Sequence, residues 1–280
     1  MSSPFIIPPG NVQIAFSGGR TSGMMLHHIL EANGALPSRA KIIFTNTGRE
    51  MPETLDFVQE CGERWGVPIV WAEYRFPHQY EIVSHNSASQ DGEPLIDIMR
   101  KFEVCANRMA RFCSTQCKER TAKRYLMDCG WEHWAVALGI RADEGGRIAK
   151  KPPRDRFVFW YPMFAAGLSK RDVSTFWKRQ PFNLRLLDLN GKTPLGNCDG
   201  CFLKSEANRA ALARDYPERA QWWADQEARF RGTFLPDQSW QKTIDTVRSQ
   251  GDWIFNTKGY LCQADGGDCT GYEDTQTEER

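Results

Sequence analysis

The sequence predicts an α/β protein: a parallel sheet with crossover helices, followed by a helical C-terminal region. Three observations predict it. Short β-branched or aromatic runs alternate with helical patterns over the first 165 residues or so. One of these runs passes through Ser-Gly-Gly directly into an amphipathic helix pattern. Beyond Pro162 the strand-like runs stop and only helical stretches follow.

The elements are justified in chain order. Val12 to Phe16 opens the sheet, and Lys41 to Thr45, Pro68 to Ala72, Trp134 to Ile140 and Phe157 to Tyr161 continue it. Each is a short, mostly apolar run, the pattern of a strand buried on both faces. Helical periodicity over Ser22 to Asn33, Glu53 to Trp65 and Thr115 to Asp128 separates the first four, so the connections are right-handed crossovers. Ser169, with Asp172 three residues on, reads as a capping box. Further helices are expected over Glu206 to Asp215, Pro217 to Arg231 and Ser239 to Ser249. The domains are then 1–165 (α/β), 166–262 (helical) and an acidic, disordered tail over 263–280.

Composition narrows the function. The chain has 280 residues, 41% of them hydrophobic, and a net charge of +1, enough apolar residues for a sizeable core and too little charge for a broadly basic nucleic-acid coat. A cationic run, Arg147 to Arg156, is suited either to phosphates or to solvent. The N-terminal MSSPFIIPPG has no signal-peptide pattern and no segment reaches membrane-spanning length, which implies a cytoplasmic protein with no membrane partner. Nine cysteines, an odd number, then point to metal binding or redox chemistry rather than a disulfide framework.

The joint between first strand and first helix is the clearest chemical signal. Gly18 and Gly19 free the turn to bring backbone N–H groups against an anion, and the helix adds its positive end. Ser17, Thr21 and Ser22 add hydroxyls and Arg20 a charge. It lacks the lysine and spacing of a Walker A loop and is not G-x-G-x-x-G, so ordinary kinase, ATPase and dinucleotide readings fit poorly.

S-G-G-x-x-S after a first strand resembles the PP-loop of the adenine nucleotide α-hydrolase superfamily. FTNTGREMPETLDFV (Phe44 to Val58), RFCSTQCKERTAKRYL (Arg111 to Leu126) and LGIRADEGGRIAK (Leu138 to Lys150) resemble, in order, segments of its phosphoadenosine phosphosulfate (PAPS) reductase-like family. GNCDGCFLKS (Gly196 to Ser205) resembles an element of a bacterial and phage branch. The resemblance implies a Rossmann-like parallel sheet of the PP-loop (HUP) type, with adenine nucleotide at the carboxyl ends of the strands. It places Ser17, Gly18, Gly19, Arg20, Thr21 and Ser22 on the phosphates, and Thr45, Asn46, Thr47 and Gly48 near adenine or ribose. Arg141 and Lys118 would supply charge to the phosphates, while Asp143 and Glu144 would hold Arg141 or a magnesium ion. Glu50 is suited to a metal or a substrate hydroxyl, and Glu53 after Pro52 to a helix N-terminus.

Cys198 and Cys201 are spaced C-x-x-C in a Gly-rich turn, and Cys113 and Cys117 stand at i and i+4 on a helix. Four thiolates from these two segments would hold zinc or a 4Fe-4S cluster, the cluster being what the family resemblance implies; a redox-active C-x-x-C is the alternative. Cys105 is a fifth candidate, whereas Cys61 and Cys129 suit a buried apolar role. The tryptophans at 65, 71, 131, 134, 222 and 223 are read as core and junction residues.

The intact loop favours ATP over PAPS: true PAPS reductases depart from it and end in a catalytic E-C-G-L-H-like tail, whereas here GGDCTGYED places Cys269 before threonine. ATP attacked at its α-phosphorus, with Ser17 and Arg141 stabilising charge, gives sulfur-transfer-type chemistry. The implied partners are adenine nucleotide, a sulfur donor or thioredoxin-like reductant, and an acceptor that includes nucleic acid among its options. PAPS reduction and a non-catalytic nucleotide-binding subunit are the alternatives.

Overall fold

The computed structural model describes residues 3–149, 155–189, 191–236 and 238–250. The expected tail, Cys269 and the middle of the cationic run, 150–154, lie outside the described residues. Six strands, β1 (Asn11–Ala15), β2 (Ala40–Asn46), β3 (Ile69–Glu73), β4 (Glu81–Val83), β5 (Trp134–Ala137) and β6 (Phe157–Trp160), form one sheet in the order β4-β3-β2-β1-β5-β6. All neighbours are parallel except β3 and β4. β1 is central, with Val12 in register with Ala40 on one side and Ala135 on the other. The chain leaves it towards β2 and β3 and returns to β5 on the opposite flank. A crevice therefore opens at the carboxyl ends beside β1, where α/β sheets bind ligands.

The helices are α1 (Arg20–Asn33), α2 (Pro52–Trp65), α3 (Glu93–Phe102), α4 (Phe112–Ser114), α5 (Thr121–Asp128), α6 (Pro162–Ala165), α7 (Lys170–Arg179), α8 (Glu206–Asp215), α9 (Pro217–Arg229) and α10 (Trp240–Gln250). A π-helical turn, Thr115–Arg120, joins α4 to α5. The α/β expectation holds, with local corrections. β5 stops at Ala137, because the Ile140 amide turns back onto the Leu138 carbonyl. β6 is an edge strand whose Val158 is 56% exposed, so it is not buried on both faces. Thr115 to Asp128 is not one α-helix, and β4 and α3 are elements the sequence reading did not anticipate.

Apolar side chains from α1, α2, α7 and the segment after it fill one face of the sheet: Leu26, Phe57, Trp177 and Phe182 close over Val12 and Ile14. α5 covers the other face through Leu126, against Val136 and Leu138. A further core lies among the helices, where Leu95 and Ile98 of α3 and Cys117 of the π turn meet Phe202, Trp223 and Trp240. Contacts cross the sequence boundary at 165 in both directions. α7 belongs with the sheet and α3 with the C-terminal helices. The Trp177 indole of α7 packs so close to α1 that a Cβ on Gly23 would lie 2.7 Å from its Cζ2, and its Nε1 donates to the Arg20 carbonyl at 2.7 Å.

Candidate active site

The chain turns from β1 into α1 through Ser17, Gly18 and Gly19. Gly18 has φ +77°, and a Cβ there would lie 2.7 Å from Thr54 Cγ2 and 3.0 Å from Val58 Cγ2, so the loop is pressed onto α2. Gly18→Ala is therefore expected to lower stability by about 1–3 kcal/mol through left-handed strain. Urea unfolding reads this directly, and an unchanged midpoint would contradict it. Gly19 is ordinary extended backbone, φ −93° and ψ 163°. As N-cap it offers no side-chain bond, and the first turn of α1 holds no acidic residue. The leading amides of α1 are thus left without an intrahelical acceptor, the arrangement in which a helix N-terminus can take an anion. The Ser17 amide donates to Ser22 Oγ at 3.2 Å and the two hydroxyls lie 3.0 Å apart, which closes the loop on itself.

Arg20 departs from its expected role. Its guanidinium donates to Asn183 Oδ1, Thr193 Oγ1 and the Leu184 and Leu186 carbonyls at 2.6–2.9 Å. It anchors the segment after α7 rather than facing the loop. Arg141, following β5, reaches the loop from the far side of the crevice: Nη1 lies 3.3 Å from Thr21 Oγ1. The side chain is buried, gripped by Asp143 at 3.0 Å (Nε–Oδ1) and Glu144 at 3.3 Å (Nη1–Oε2). Burial alone would raise the Asp143 carboxyl, but the Arg141 bonds and charge hold it below its ordinary value. Glu144 also takes Arg147 at 2.7 Å, so of the two roles expected for Asp143 and Glu144 the structure displays the holding of arginine.

The segment after β2 is built inward. Thr45 is half-buried and in register with Ala72. Asn46 is fully buried, donating to Glu73 at 2.5 Å and to the Ser89 carbonyl at 2.8 Å, while its Oδ1 accepts from the Gly48 amide. Gly48, at φ +78°, sits against Ser89 and Gly92. Asn46 and Gly48 shape this turn. Thr47 faces the cysteines: Oγ1 donates to Glu50 Oε2 at 2.7 Å and lies 3.0 Å from Cys198 Sγ.

Both cysteine pairs pack against one apolar cluster, and Cys117 and Cys198 both lie near buried Glu50, but among the described residues no three of the four sulfurs lie within 4.8 Å of one another. Glu50 Oε1 lies 3.8 Å from Cys198 Sγ, and the Glu50 backbone bridges to Cys198. Burial, then the neighbouring Cys113, pushes the Cys117 thiol well above its ordinary value; Lys118 opposes this and Glu50 adds to it. Lys118 is itself buried on the same π turn. Cys113, Cys198 and Cys201 are half-buried, and the Leu203 amide donates to Cys201 Sγ at 3.5 Å. Cys105 is buried with its thiol towards the Gln226 carbonyl. Cys61 is buried as expected, but Cys129 is exposed, since the chain turns out after α5.

Sequence reasoning missed the groups that seat the C-x-x-C turn. Asp199, fully buried, takes Arg49 at 3.0 Å, Arg219, and Trp223 Nε1 at 2.7 Å. Arg49 also lies over the Trp222 ring, 4.5 Å from its centroid, a junction role for that tryptophan. No local signal marks these partners, because they are separated by twenty or more residues.

Residues 11–160 match the phosphoadenosine phosphosulfate reductase domain family. The chain belongs to this family. The match in the PAPS reductase domain spans the loop, Thr47, Glu50, Lys118 and Arg141, and ends before Cys198 and Cys201. The chain is also 28% identical over 212 residues to the uncharacterized nin region protein ORF290 of Escherichia phage lambda, covering 72% of this chain and 69% of the relative. A solved structure of the U34-tRNA thiolase NcsA from Methanococcus maripaludis, with its 4Fe-4S cluster, aligns at TM-score 0.36 and 13% identity over 94% of this chain and 80% of that one. Among the described residues no helix is long and apolar enough to cross a membrane.

Proposed function

We infer that this PAPS reductase-family protein binds ATP and uses it for sulfur transfer. The observation that carries the reading is the meeting of the uncapped α1 loop with Arg141 at the strand-order reversal beside β1. The α1 amides and the Ser17 and Ser22 hydroxyls hold phosphate oxygens, and Arg141 stabilises charge as an acceptor oxygen attacks the α-phosphorus and pyrophosphate leaves. Magnesium enters with the triphosphate. A sulfide-level nucleophile from the sulfur donor then bonds to the acceptor carbon as that carbon's bond to the adenylated oxygen breaks, and AMP leaves. Cys113, Cys117, Cys198 and Cys201 would hold a 4Fe-4S cluster or zinc, the cluster supplying a redox centre or an open iron for sulfide and zinc a scaffold. The chemistry of the donors suits either group, being soft thiols, one of them buried where a thiolate needs a cation beside it and one accepting from an amide, and binding would draw the sulfurs closer than the 4.8 Å within which no three of them now lie.

The family match supports a second reading, reduction of PAPS. There a cysteine thiolate attacks the sulfonate sulfur, adenosine 3′,5′-bisphosphate leaves, and a thioredoxin-like dithiol releases sulfite while it is oxidised to a disulfide. One experiment separates the readings: anaerobically purified protein is incubated with labelled ATP plus candidate acceptors and, separately, with PAPS. Metal and acid-labile sulfide are assayed in parallel. AMP with pyrophosphate is the expected result. Adenosine bisphosphate with sulfite would establish the second reading, and the absence of product from either nucleotide would overturn both.

A further inference from the structure

Residues 100–124 carry eight basic and two acidic side chains, a net of +6 in a chain whose total is +1. This is the segment that leads into and forms the cysteine helix. Five of the eight, Arg100, Lys101, Arg108, Arg120 and Arg124, are exposed, whereas Lys118 is buried, Lys123 pairs with Asp155 at 2.6 Å and Arg100 pairs with Asp97 at 3.2 Å, so the outward charge is carried chiefly by Lys101, Arg108, Arg120 and Arg124. Apolar groups stand among these cations. Met109, beside Arg108, is 84% exposed, and Phe102 is 41% exposed with its ring stacked on Phe112 at 4.8 Å. The inner side of the same segment carries the buried Cys105 and Cys117. Half-buried Cys113 follows Phe112 directly, at the border between the two sides.

Cations interleaved with exposed ring and thioether surfaces fit a polyanion that also has flat faces to stack. A single-stranded polynucleotide is such a ligand: the phosphates pair with Arg and Lys, and the unstacked bases lie on aromatic groups. An acidic peptide would use the charge but leave Phe102 and Met109 without a role. A duplex keeps its bases stacked inside. We propose that this face binds a single-stranded nucleic acid and delivers it, as the sulfur acceptor, to the thiols beneath. The inference rests on the sulfur-transfer reading for the word acceptor, but the binding surface stands on its own observations. Strand bound there lies about one helix diameter, ~10 Å, from the cysteine side of the segment. A nucleotide turned out of line covers that distance.

The test is fluorescence anisotropy with labelled single-stranded RNA and DNA of about 15 nucleotides, the corresponding duplex, and polyglutamate as competitor. The full chain is compared with the double variant Lys101→Glu/Arg108→Glu. Both positions are exposed and outside the nucleotide and cysteine sites. The parent is expected to bind one or both single strands more tightly than duplex. The variant should bind at least ~10-fold more weakly near 0.1 M salt, with the log–log salt slope reduced by about 1.4 for two lost phosphate contacts. Equal binding by parent and variant, preference for duplex, or full displacement by polyglutamate at matched charge would overturn the proposal. ATP binding by calorimetry should be the same in both proteins. Absence of strand binding by the parent with its nucleotide turnover intact sinks this inference alone, whereas strand binding by the parent without turnover of either nucleotide sinks the functional reading alone.

Discussion

Arg141→Ala is expected to lower kcat/KM for pyrophosphate release by about two to three orders of magnitude, or roughly 2.7–4 kcal/mol of transition-state stabilisation. Arg141 bridges the crevice: it is anchored by Asp143 and Glu144 and extends to Thr21 at the start of α1. Its guanidinium is thus held before substrate arrives, with little reorganisation left for the reaction. Arg141→Lys keeps the charge but not the planar fork that Asp143 grips through two nitrogens, so a loss of about one to two orders of magnitude is expected there. Steady-state kinetics with pyrophosphate detection decides, alongside a check that both variants unfold at the parent's urea midpoint. Turnover equal to the parent's in Arg141→Ala would remove this residue from the chemistry.

Asp199→Ala is expected to cost about 3–5 kcal/mol of stability, because breaking a buried ion pair leaves its partners uncompensated. Here two cations lose one carboxylate. Arg49 is buried and its pKa already lowered, by burial first, with Asp199 opposing and Arg219 reinforcing. Without Asp199 the two guanidiniums face each other and Trp223 Nε1 loses its acceptor. Asp199→Asn keeps the shape and an acceptor for Trp223, so it should fall between alanine and parent. Urea unfolding of the three proteins at one pH gives the comparison. A shift below ~1 kcal/mol for alanine would show that the pair is not holding the turn. Metal content should fall with Asp199→Ala as well, since the residue lies between Cys198 and Cys201 and fixes the turn against Arg49.

Local features account for what was legible in the sequence. Buried parallel strands read as apolar runs, so β1, β2 and β3 emerge within a residue or two. The Ser169–Asp172 capping box forms as its spacing implies. β4 stayed hidden because it is three residues long and mostly exposed, with no alternation to read. α3 had a readable signal in Leu95, Ile98 and Met99 behind Pro94, which went unused. The π turn had none: the residues suit an ordinary helix, yet Gln116, Cys117 and Lys118 are buried in succession, more than one face of an α-helix presents inward. Arg20 illustrates the limit at the site itself. Its position in the loop suggests an anion partner, but its acceptors come from residues 183–193, which only tertiary structure brings near.

The interleaved cores have a consequence for how the molecule comes into being on the ribosome. The six strands of the described residues have been synthesised by Trp160, yet the indole and ring that cover α1 and α2 arrive only with Trp177 and Phe182. α3, made much earlier, waits longer still for its cover, since Phe202, Trp223 and Trp240 are its core companions. A nascent chain released near residue 165 would carry a complete set of strands beneath bare apolar helices, the kind of intermediate that self-associates. Premature termination or cleavage there would yield an aggregate rather than a folded sheet domain, and α8, α9 and α10 act as the closing step for the cores described.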